Sequence, residues 1–248
     1  MNKYTKSTDD KPYRFISFGR TRPKKFSICS LVQSEERYKT VVNSAISANF
    51  SVDNCEFIAI DNREGPKYDG YTWIREVITE STGDYIVFTH DDIEFTNDGF
   101  QELFDRLEEL ERHDPTWMIA GVAGGPYKST SSKKDVVYRI SDMHGTGRRV
   151  GNFPHRVETL DECFFVMKRD RFVVPSINLS GFHFFGSDLC LLAEVMGGSA
   201  YVIDFLLTHH GDGARDITFR TGKRRLKAKY SPFFPDRILH TTTTIIRF

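Results

Sequence analysis

The feature that most constrains the fold is an alternation of short apolar runs with amphipathic stretches over residues 26–123. The runs are short enough for buried strands, and the stretches between them carry apolar residues at helical spacing. A repeated strand–helix–strand order favours parallel strands joined by crossover helices. The pattern therefore predicts an α/β protein with strands at Phe26–Val32, Cys55–Ile60, Asp84–Thr89 and Trp117–Ala123.

The second half of the chain has a weaker pattern. It predicts strands at Cys163–Lys168 and Ala200–Phe205, and a helix at Ser187–Met196 that ends before two glycines. Residues Gly124–Arg156 are rich in Gly, Ser, Lys and Arg and show no period, so we expect a long loop there. A loop of this length inside a compact domain is usually functional or mobile.

The length of 248 residues suits one domain with an appendage. We place a single domain over residues 26–214, with a first half over 26–123 and a second half over 124–214. A basic lead-in covers residues 1–25, and a basic C-terminal segment, residues 215–248, could act as a lid.

The charge balance argues against bulk electrostatic partners. The 34 Lys and Arg are matched by 34 Asp and Glu, so the chain lacks the positive excess of proteins that coat nucleic acid or anionic membranes. The charges are segregated, with twelve acids and two bases in residues 80–114 but seven bases and one acid in residues 215–229. This segregation suggests a small, highly charged ligand between the two regions.

The basic run Arg220–Lys229 has three interpretations: a solvated face, a nucleic-acid patch or a diphosphate clamp. Aromatic residues follow this run and do not alternate with its bases, which weakens the nucleic-acid interpretation. We therefore expect no nucleic-acid partner.

Cysteine spacing and hydropathy predict the compartment. The four cysteines have no close pair, which disfavours a zinc ribbon and a dense disulfide scaffold, so we expect reduced and mostly buried thiols. The first residues lack the apolar core of a signal peptide. No apolar run approaches the ~18 residues of a membrane span. We expect a cytoplasmic protein with no membrane span.

Polar side chains follow two of the predicted strands. Asp61 follows the second strand, and His90, Asp91 and Asp92 follow the third. Carboxylates at short range repel each other, and a bound divalent cation would remove that cost. Oxygen-rich sites favour Mg²⁺ or Mn²⁺ over zinc. The alternative is an acidic loop that caps the next helix.

Other candidate residues lie further along the chain. His209 and His210 follow the last strand-like run, and the sequence leaves open which of them points inward. Asp188 starts a helix, and its spacing alone favours an acid stabilised by the helix dipole over a general base in a cleft. Asp161 and Glu162 precede a strand and could be ordinary loop acids.

The order and spacing of these blocks resemble the nucleotide-diphosphate-sugar glycosyltransferases of the GT-A fold, in particular family 2 and its bacterial capsule-type branch. The resemblance covers roughly residues 26–213. It implies a Rossmann-like, mixed, mostly parallel sheet flanked by helices. The matching blocks are FSICSLVQSEERY, FIAIDN, GDYIVFTHDDIEF, GFHFFGSDLCL and AYVIDFLLTHHGDG.

The resemblance implies roles for individual residues. The contacts to the nucleotide sugar would come from Ser30, Gln33, Asp61, Asp91 and Arg215. The ligands of a Mn²⁺ or Mg²⁺ ion would be Asp92, His90, His209 and His210, with His90 at the first acid of the family's DxD motif. The general base would be Asp188, and the acceptor side would include Asp161 and Glu162.

The implied reaction is transfer of a sugar from a nucleotide-diphosphate donor, above all a UDP-sugar, to a hydroxyl of a glycan or lipid-linked acceptor. Such a transferase would serve polysaccharide biosynthesis, with inversion at the sugar carbon. The metal and nearby bases would stabilise the departing diphosphate. The acceptor pocket would be built from residues 124–160 and the C-terminal segment.

Two other functions remain open from the sequence. A sugar nucleotidyltransferase would need a Gly-rich basic loop after the first strand, where this chain has Gln33-Ser34-Glu35-Glu36. A non-catalytic nucleotide-sugar or glycan-binding protein of the same fold is the other alternative.

Overall fold

The computed structural model describes residues 24–211 and 217–248, so all but the last two residues of the predicted lead-in lie outside it. The helices are α1 (Glu35–Ser47), α2 (Thr72–Glu80), α3 (Phe100–His113), α4 (Phe185–Val195) and α5 (Ile217–Tyr230), with one 3₁₀ turn at Arg169–Arg171. The strands are β1 (Phe26–Val32), β2 (Cys55–Asp61), β3 (Tyr85–Thr89), β4 (Ile93–Glu94), β5 (Trp117–Gly121), β6 (Ala123–Pro126), β7 (Val137–Asp142), β8 (Gly145–Val150), β9 (His155–Leu160), β10 (Phe164–Lys168), β11 (Ser199–Val202), β12 (Thr208–His209), β13 (Ile238–His240) and β14 (Ile245–Arg247).

The strands β1 to β12 form one mixed sheet with helices packed against it, which confirms the predicted α/β class. Its order is β2-β1-β3-β10-β5-β11-β9-β6-β7-β12-β4, and β8 pairs with β7. Strands β1, β2 and β3 are parallel, as are β5 with β11 and β7 with β12, whereas the pairs β6–β7, β6–β9, β7–β8 and β9–β11 are antiparallel. The antiparallel share is larger than the pattern predicts, because β6 to β9 add pairs that the sequence does not reveal and the predicted strand β10 is antiparallel to both its neighbours.

The register of the parallel strands places their carboxyl ends at one edge of the sheet. Val32 lies opposite Asp61, and Ser30 lies opposite Thr89. The residues that follow these ends therefore meet in space, as expected for an open α/β sheet.

Strand β10 joins the two halves of the chain. It inserts antiparallel between β3 and β5, so that Val166 lies opposite both Val87 and Ala120. Phe165 stacks on Phe88 with 4.7 Å between ring centroids, and both are buried. The two halves thus contribute strands to one sheet.

The prediction of a long loop over residues 124–156 is wrong, because strands β6, β7 and β8 and the start of β9 lie within this stretch. The β7–β8 hairpin turns at Met143 and His144 and then uses Gly145 and Gly147, both with positive φ. Its outer strand is half-exposed and rich in arginine, so it has neither the apolar run nor the alternation by which strands are recognised.

The C-terminal segment is not a lid as a whole. Helix α5 buries Leu226 and Tyr230, and the β13–β14 hairpin buries Leu239 and Ile246, all in the main core cluster. Residues 217–248 are therefore part of the domain, and the predicted boundary at residue 214 does not separate an independent unit.

The four cysteines are buried and unpaired, as expected. Within the described residues, no helix combines the length and the apolar character needed to cross a bilayer.

Substitution of Leu226 by Ala tests the docking of α5. We expect the free energy of unfolding to fall by about 2–5 kcal/mol, because a fully buried leucine leaves a cavity. The neighbouring exposed Lys227→Ala is the matched control and should change it by less than about 0.5 kcal/mol. Urea unfolding measures both, and equal effects of the two substitutions would show that α5 is not part of the core.

Candidate functional site

Three side chains converge beyond the end of β3. His90 and Asp92 lie in the turn between β3 and β4, and His209 ends β12. One possible ligand atom from each lies within 4.8 Å of the others. The Asp92 Oδ1 atom is 3.3 Å from His209 Nε2 and 3.7 Å from His90 Nδ1. We call this group the His–Asp–His cluster.

The short strand pair β4–β12 brings these residues together. Antiparallel pairing places His209 opposite Ile93, and the His210 backbone N–H donates to the Asp92 carbonyl at 3.0 Å. Gly211 closes the turn, and a Cβ there would lie 2.7 Å from His209 Nε2 and 2.8 Å from Asp92 Oδ2. Any larger residue at position 211 would therefore press on the cluster.

Burial and neighbouring charges shift the pKa values of all three residues of the cluster. Burial would raise the pKa of Asp92, but His209 and His90 outweigh it and lower that pKa to about 2. Burial and the neighbouring His209 lower the pKa of His90, so its imidazole is neutral near pH 7. Burial would lower the pKa of His209, but the Asp92 and Asp161 carboxylates outweigh it and raise that pKa.

The cluster fits a divalent cation. Asp92 Oδ1 and His209 Nε2 are buried, and neither has a hydrogen-bond partner among the described residues. Such orphaned polar atoms are costly unless an unseen group satisfies them. Two imidazoles and one carboxylate suit Mn²⁺ better than Mg²⁺, which prefers an all-oxygen shell.

His210 is directed elsewhere. Its Nε2 lies 3.1 Å from Glu94 Oε2, and its ring is half-exposed. The sequence leaves open which of the two histidines points inward. Of the two, only His209 lies in the His–Asp–His cluster.

A cavity of about 210 Å³ opens on one side of the cluster, between the ends of β1 and β3 and the start of α4. We call it the aromatic pocket. His90 and Asp92 form part of its wall. The other lining side chains used below are Gln33, Arg37, Trp73, Phe182 and Phe185.

A second cavity, of about 250 Å³, opens on the other side of the cluster. We call it the polar pocket. His209 and Asp161 belong to its wall, and most of the remaining wall comes from residues 134–148 and from Thr242 and Thr243. These are the two regions, residues 124–160 and the C-terminal segment, that the sequence assigns to an acceptor pocket.

Asp91 anchors the loop after β1. Its Oδ2 accepts the backbone N–H groups of Gln33 at 2.8 Å and Ser34 at 2.9 Å, and its Oδ1 lies 3.0 Å from the Arg37 guanidinium. Asp91 is almost buried, although it borders the aromatic pocket. It therefore fixes the start of α1 and orients Arg37.

The other residues predicted to contact a nucleotide lie at different depths. Ser30 is buried, and its hydroxyl lies 2.6 Å from that of Thr89. It therefore packs behind the wall of the aromatic pocket. Gln33 lines the pocket. Asp61 is exposed at the neighbouring strand end, where hydrogen bonds from Arg63 lower its pKa to about 2. Arg215 lies outside the described residues.

Asp188 does not face the cleft, which corrects the prediction of a general base there. Its side chain is 0% exposed. The carboxylate accepts the Ser176 backbone N–H at 2.8 Å, the Ser176 hydroxyl at 2.5 Å and the Tyr230 hydroxyl at 2.6 Å. Lys229 lies 3.5 Å away and balances its charge. In this state Asp188 joins α4 to α5 and has no path to a substrate.

The two acids before β10 differ in their surroundings. Asp161 lines the polar pocket, where its Oδ2 accepts the Thr242 hydroxyl at 2.7 Å. Burial would raise the pKa of Asp161, but His209 and Thr242 outweigh it and lower that pKa. Glu162 accepts the Gly186 backbone N–H at 3.3 Å, and burial and the Asp161 charge raise its pKa to about 8.

Sequence reasoning missed several residues of the two pockets. Trp73 and Phe185 follow the apolar periodicity of core residues, so the sequence does not mark them as pocket residues. They are in fact both buried core residues and part of the pocket wall. Arg37 carries a detectable signal, since it lies one turn after the Ser34 cap. Thr242 lies in a polar C-terminal turn that has no motif.

No family model matches the chain. Two solved structures resemble it in part: the crystal structure of GalNAc-T7 with UDP, GalNAc and Mn²⁺, at 10% identity and a TM-score of 0.49, and that of S. aureus TarS 1–349, at 9% identity and a TM-score of 0.48. The similar regions cover 76% and 84% of this chain but only 44% and 66% of the respective neighbour.

A closer relative is known from sequence. The protein described as "ATP synthase subunits region ORF 6" of Fuscovulum blasticum is 42% identical over 219 residues, which make up 88% of each chain. That description states a position among genes and no activity. The identity over most of both chains shows that the protein belongs to the same family as ATP synthase subunits region ORF 6 of Fuscovulum blasticum.

Proposed function

We propose that the protein is a divalent-cation-assisted glycosyltransferase that moves a sugar from a UDP-sugar to a hydroxyl of a glycan or lipid-linked acceptor. The observation that carries the proposal is the position of the His–Asp–His cluster between two pockets. His90 and Asp92 border the aromatic pocket, whereas His209 borders the polar pocket. A cation held there would lie where a donor and an acceptor meet.

The aromatic pocket suits the nucleotide part of a donor. The partly exposed ring of Phe182 offers a stacking surface for a base, and Arg37 supplies a cation beside the cluster. Gln33, and Asp61 at the next strand end, offer acceptors and donors for the edge of a base. These groups lie beyond the carboxyl ends of β1 and β2, the usual ligand position in an open α/β sheet.

The cation would be held by His90, Asp92 and His209, and of the two ions predicted from the sequence Mn²⁺ suits two imidazole ligands better than Mg²⁺. When bound, it would stabilise negative charge on the departing diphosphate. The protein itself supplies the positions: β4–β12 pairing fixes His209, and Asp91 fixes Arg37 next to the cluster.

The polar pocket suits an acceptor, and Asp161 is the base that we assign to it. This carboxylate is ionised, borders the pocket beside His209 and is oriented by Thr242. It would accept the proton of the acceptor hydroxyl as that oxygen attacks the sugar carbon. The inversion that the family resemblance implies would require the acceptor oxygen to reach the sugar carbon from the side opposite the diphosphate.

The burial of Asp188 favours one second candidate. If the acid that the family resemblance marks as the base is structural, the protein could bind a nucleotide sugar or a glycan without turnover. Donor affinity with no nucleotide release, for any acceptor, would select this alternative.

The adjacent histidines give a matched test of the metal site. His209→Gln should weaken Mn²⁺ binding on the order of 100-fold or more, because loss of a ligand exceeds the roughly 10–100-fold cost of losing an outer partner. His210→Gln should leave the affinity within about a factor of two, since its ring pairs with Glu94. Isothermal titration with Mn²⁺ measures both affinities.

The metal assignment would be contradicted by equal Mn²⁺ affinities for the two variants. It would also be contradicted by a larger loss for His210→Gln. Comparison of their thermal unfolding without metal shows whether either change acts through the fold.

The two aspartates give a matched test of the base. Asp161→Asn should lower the rate of nucleotide release from the active donor by about 10²–10⁴-fold, because the proton acceptor is lost. Asp188→Asn should lower the free energy of unfolding, because a charge-assisted network beside Lys229 is broken, while folded molecules keep their rate within a few fold. A UDP-sugar panel assayed with Mn²⁺ and with a chelator provides the rates.

The opposite pattern would show that Asp188 is the general base. In that pattern Asp188→Asn loses most of the rate at unchanged stability, and Asp161→Asn loses little. If no donor in the panel releases its nucleotide in any metal, the transferase proposal fails and the binding alternative gains.

A further inference from the structure

Helix α5 has an unusual charge distribution for a protein whose net charge is zero. Its sequence, ITFRTGKRRLKAKY, contains six Lys and Arg and no acid. Arg220, Arg224, Arg225 and Lys227 are exposed. Within the described residues, no acidic side chain pairs with Arg224, Arg225 or Lys227. The helix therefore presents uncompensated positive charge.

An exposed apolar loop runs beside this helix. The loop, residues 172–182, is fixed to α5 at two points one helical turn apart: Lys229 donates to the Ser176 hydroxyl, and Arg225 donates to the Ser180 hydroxyl at 3.0 Å. Between these points Ile177 is 88% exposed, and Val174 and Phe182 on the same loop are more than two-fifths exposed. We call α5 and this loop together the α5 surface.

The α5 surface combines two properties that rarely coincide on a surface that faces only water. Singly exposed apolar residues are common, but a group of them beside a basic helix is typical of an interaction site. The loop adds no negative charge, since residues 171–187 contain no Asp or Glu. The whole patch is therefore positive with an apolar edge.

We propose that the α5 surface docks on an anionic lipid bilayer. Basic side chains would lie over lipid phosphates while Ile177 and Val174 enter the interface between headgroups and acyl chains. Single-stranded nucleic acid fits less well, because it offers no apolar phase for the exposed aliphatic side chains of Ile177 and Val174. Positive charge beside exposed aliphatic side chains therefore selects the bilayer as the partner.

Docking would also orient the two pockets. Phe182 belongs both to the loop and to the wall of the aromatic pocket, so one edge of that pocket would face the bilayer. The proposal goes beyond sugar transfer and does not depend on it, because vesicle binding needs neither donor nor metal.

Flotation with vesicles tests the proposal. The protein should float with equimolar phosphatidylcholine and phosphatidylglycerol at low salt, and should not float with phosphatidylcholine alone or at high salt. Arg224→Gln should weaken binding about fivefold, since one basic residue near an anionic surface contributes about 1 kcal/mol. Arg112→Gln, an exposed arginine at the end of α3, is the matched control and should have no effect.

The apolar contribution has its own matched pair. Ile177→Ser should weaken vesicle binding on the order of tenfold, because the side chain is no longer buried on docking. Val52→Ser removes another exposed aliphatic group, 66% exposed in the turn before β2, and should leave binding unchanged.

Three results would overturn the proposal: no flotation with either vesicle, equal losses in the test and control variants, or tighter binding to a single-stranded oligonucleotide than to the anionic vesicle. Mn²⁺ affinity of each variant, measured alongside, verifies that the His–Asp–His cluster is intact.

Discussion

The site depends on one contact between two distant parts of the chain, the approach of His209 to Asp92. The two atoms that face each other, Nε2 and Oδ1, are buried, and neither has a hydrogen-bond partner in the part of the chain that the structure describes. The pairing of β12 with β4 imposes this contact, and Gly211 leaves the space for it. A buried imidazole and carboxylate without hydrogen-bond partners are costly by themselves, and the cation that we propose would offset that cost.

The same contact separates the two pockets and gives each a role. The aromatic pocket is built from the parallel strand ends of the first half, and the polar pocket from the antiparallel second half and the C-terminal turn. Because β10 inserts between β3 and β5, the strands that border both pockets are part of one sheet. Glycosyl transfer follows from this arrangement as a proposal, since a cation at the common wall would contact both substrates.

Apolar periodicity was sufficient to predict the strands and helices of the first half, and strand-end polarity marked His90, Asp92 and His209 as candidates, which the structure brings together. Periodicity was insufficient for β7 and β8, because β8 is half-exposed and rich in arginine. For Asp188, spacing alone favoured a structural acid, whereas the family resemblance implied a general base. Its environment is made by Tyr230 and Lys229, some 40 residues later, and only the packing of α5 reveals that the carboxylate is enclosed.

The central claim is that His90, Asp92 and His209 together bind a divalent cation at the wall between the two pockets. Anomalous diffraction from crystals grown with Mn²⁺ and UDP tests it most directly. We expect one Mn²⁺ peak within bonding distance of all three side chains, away from His210, with UDP in the aromatic pocket. A crystal with UDP bound but no Mn²⁺ peak at these residues, or with the peak at His210 and Glu94, would contradict it.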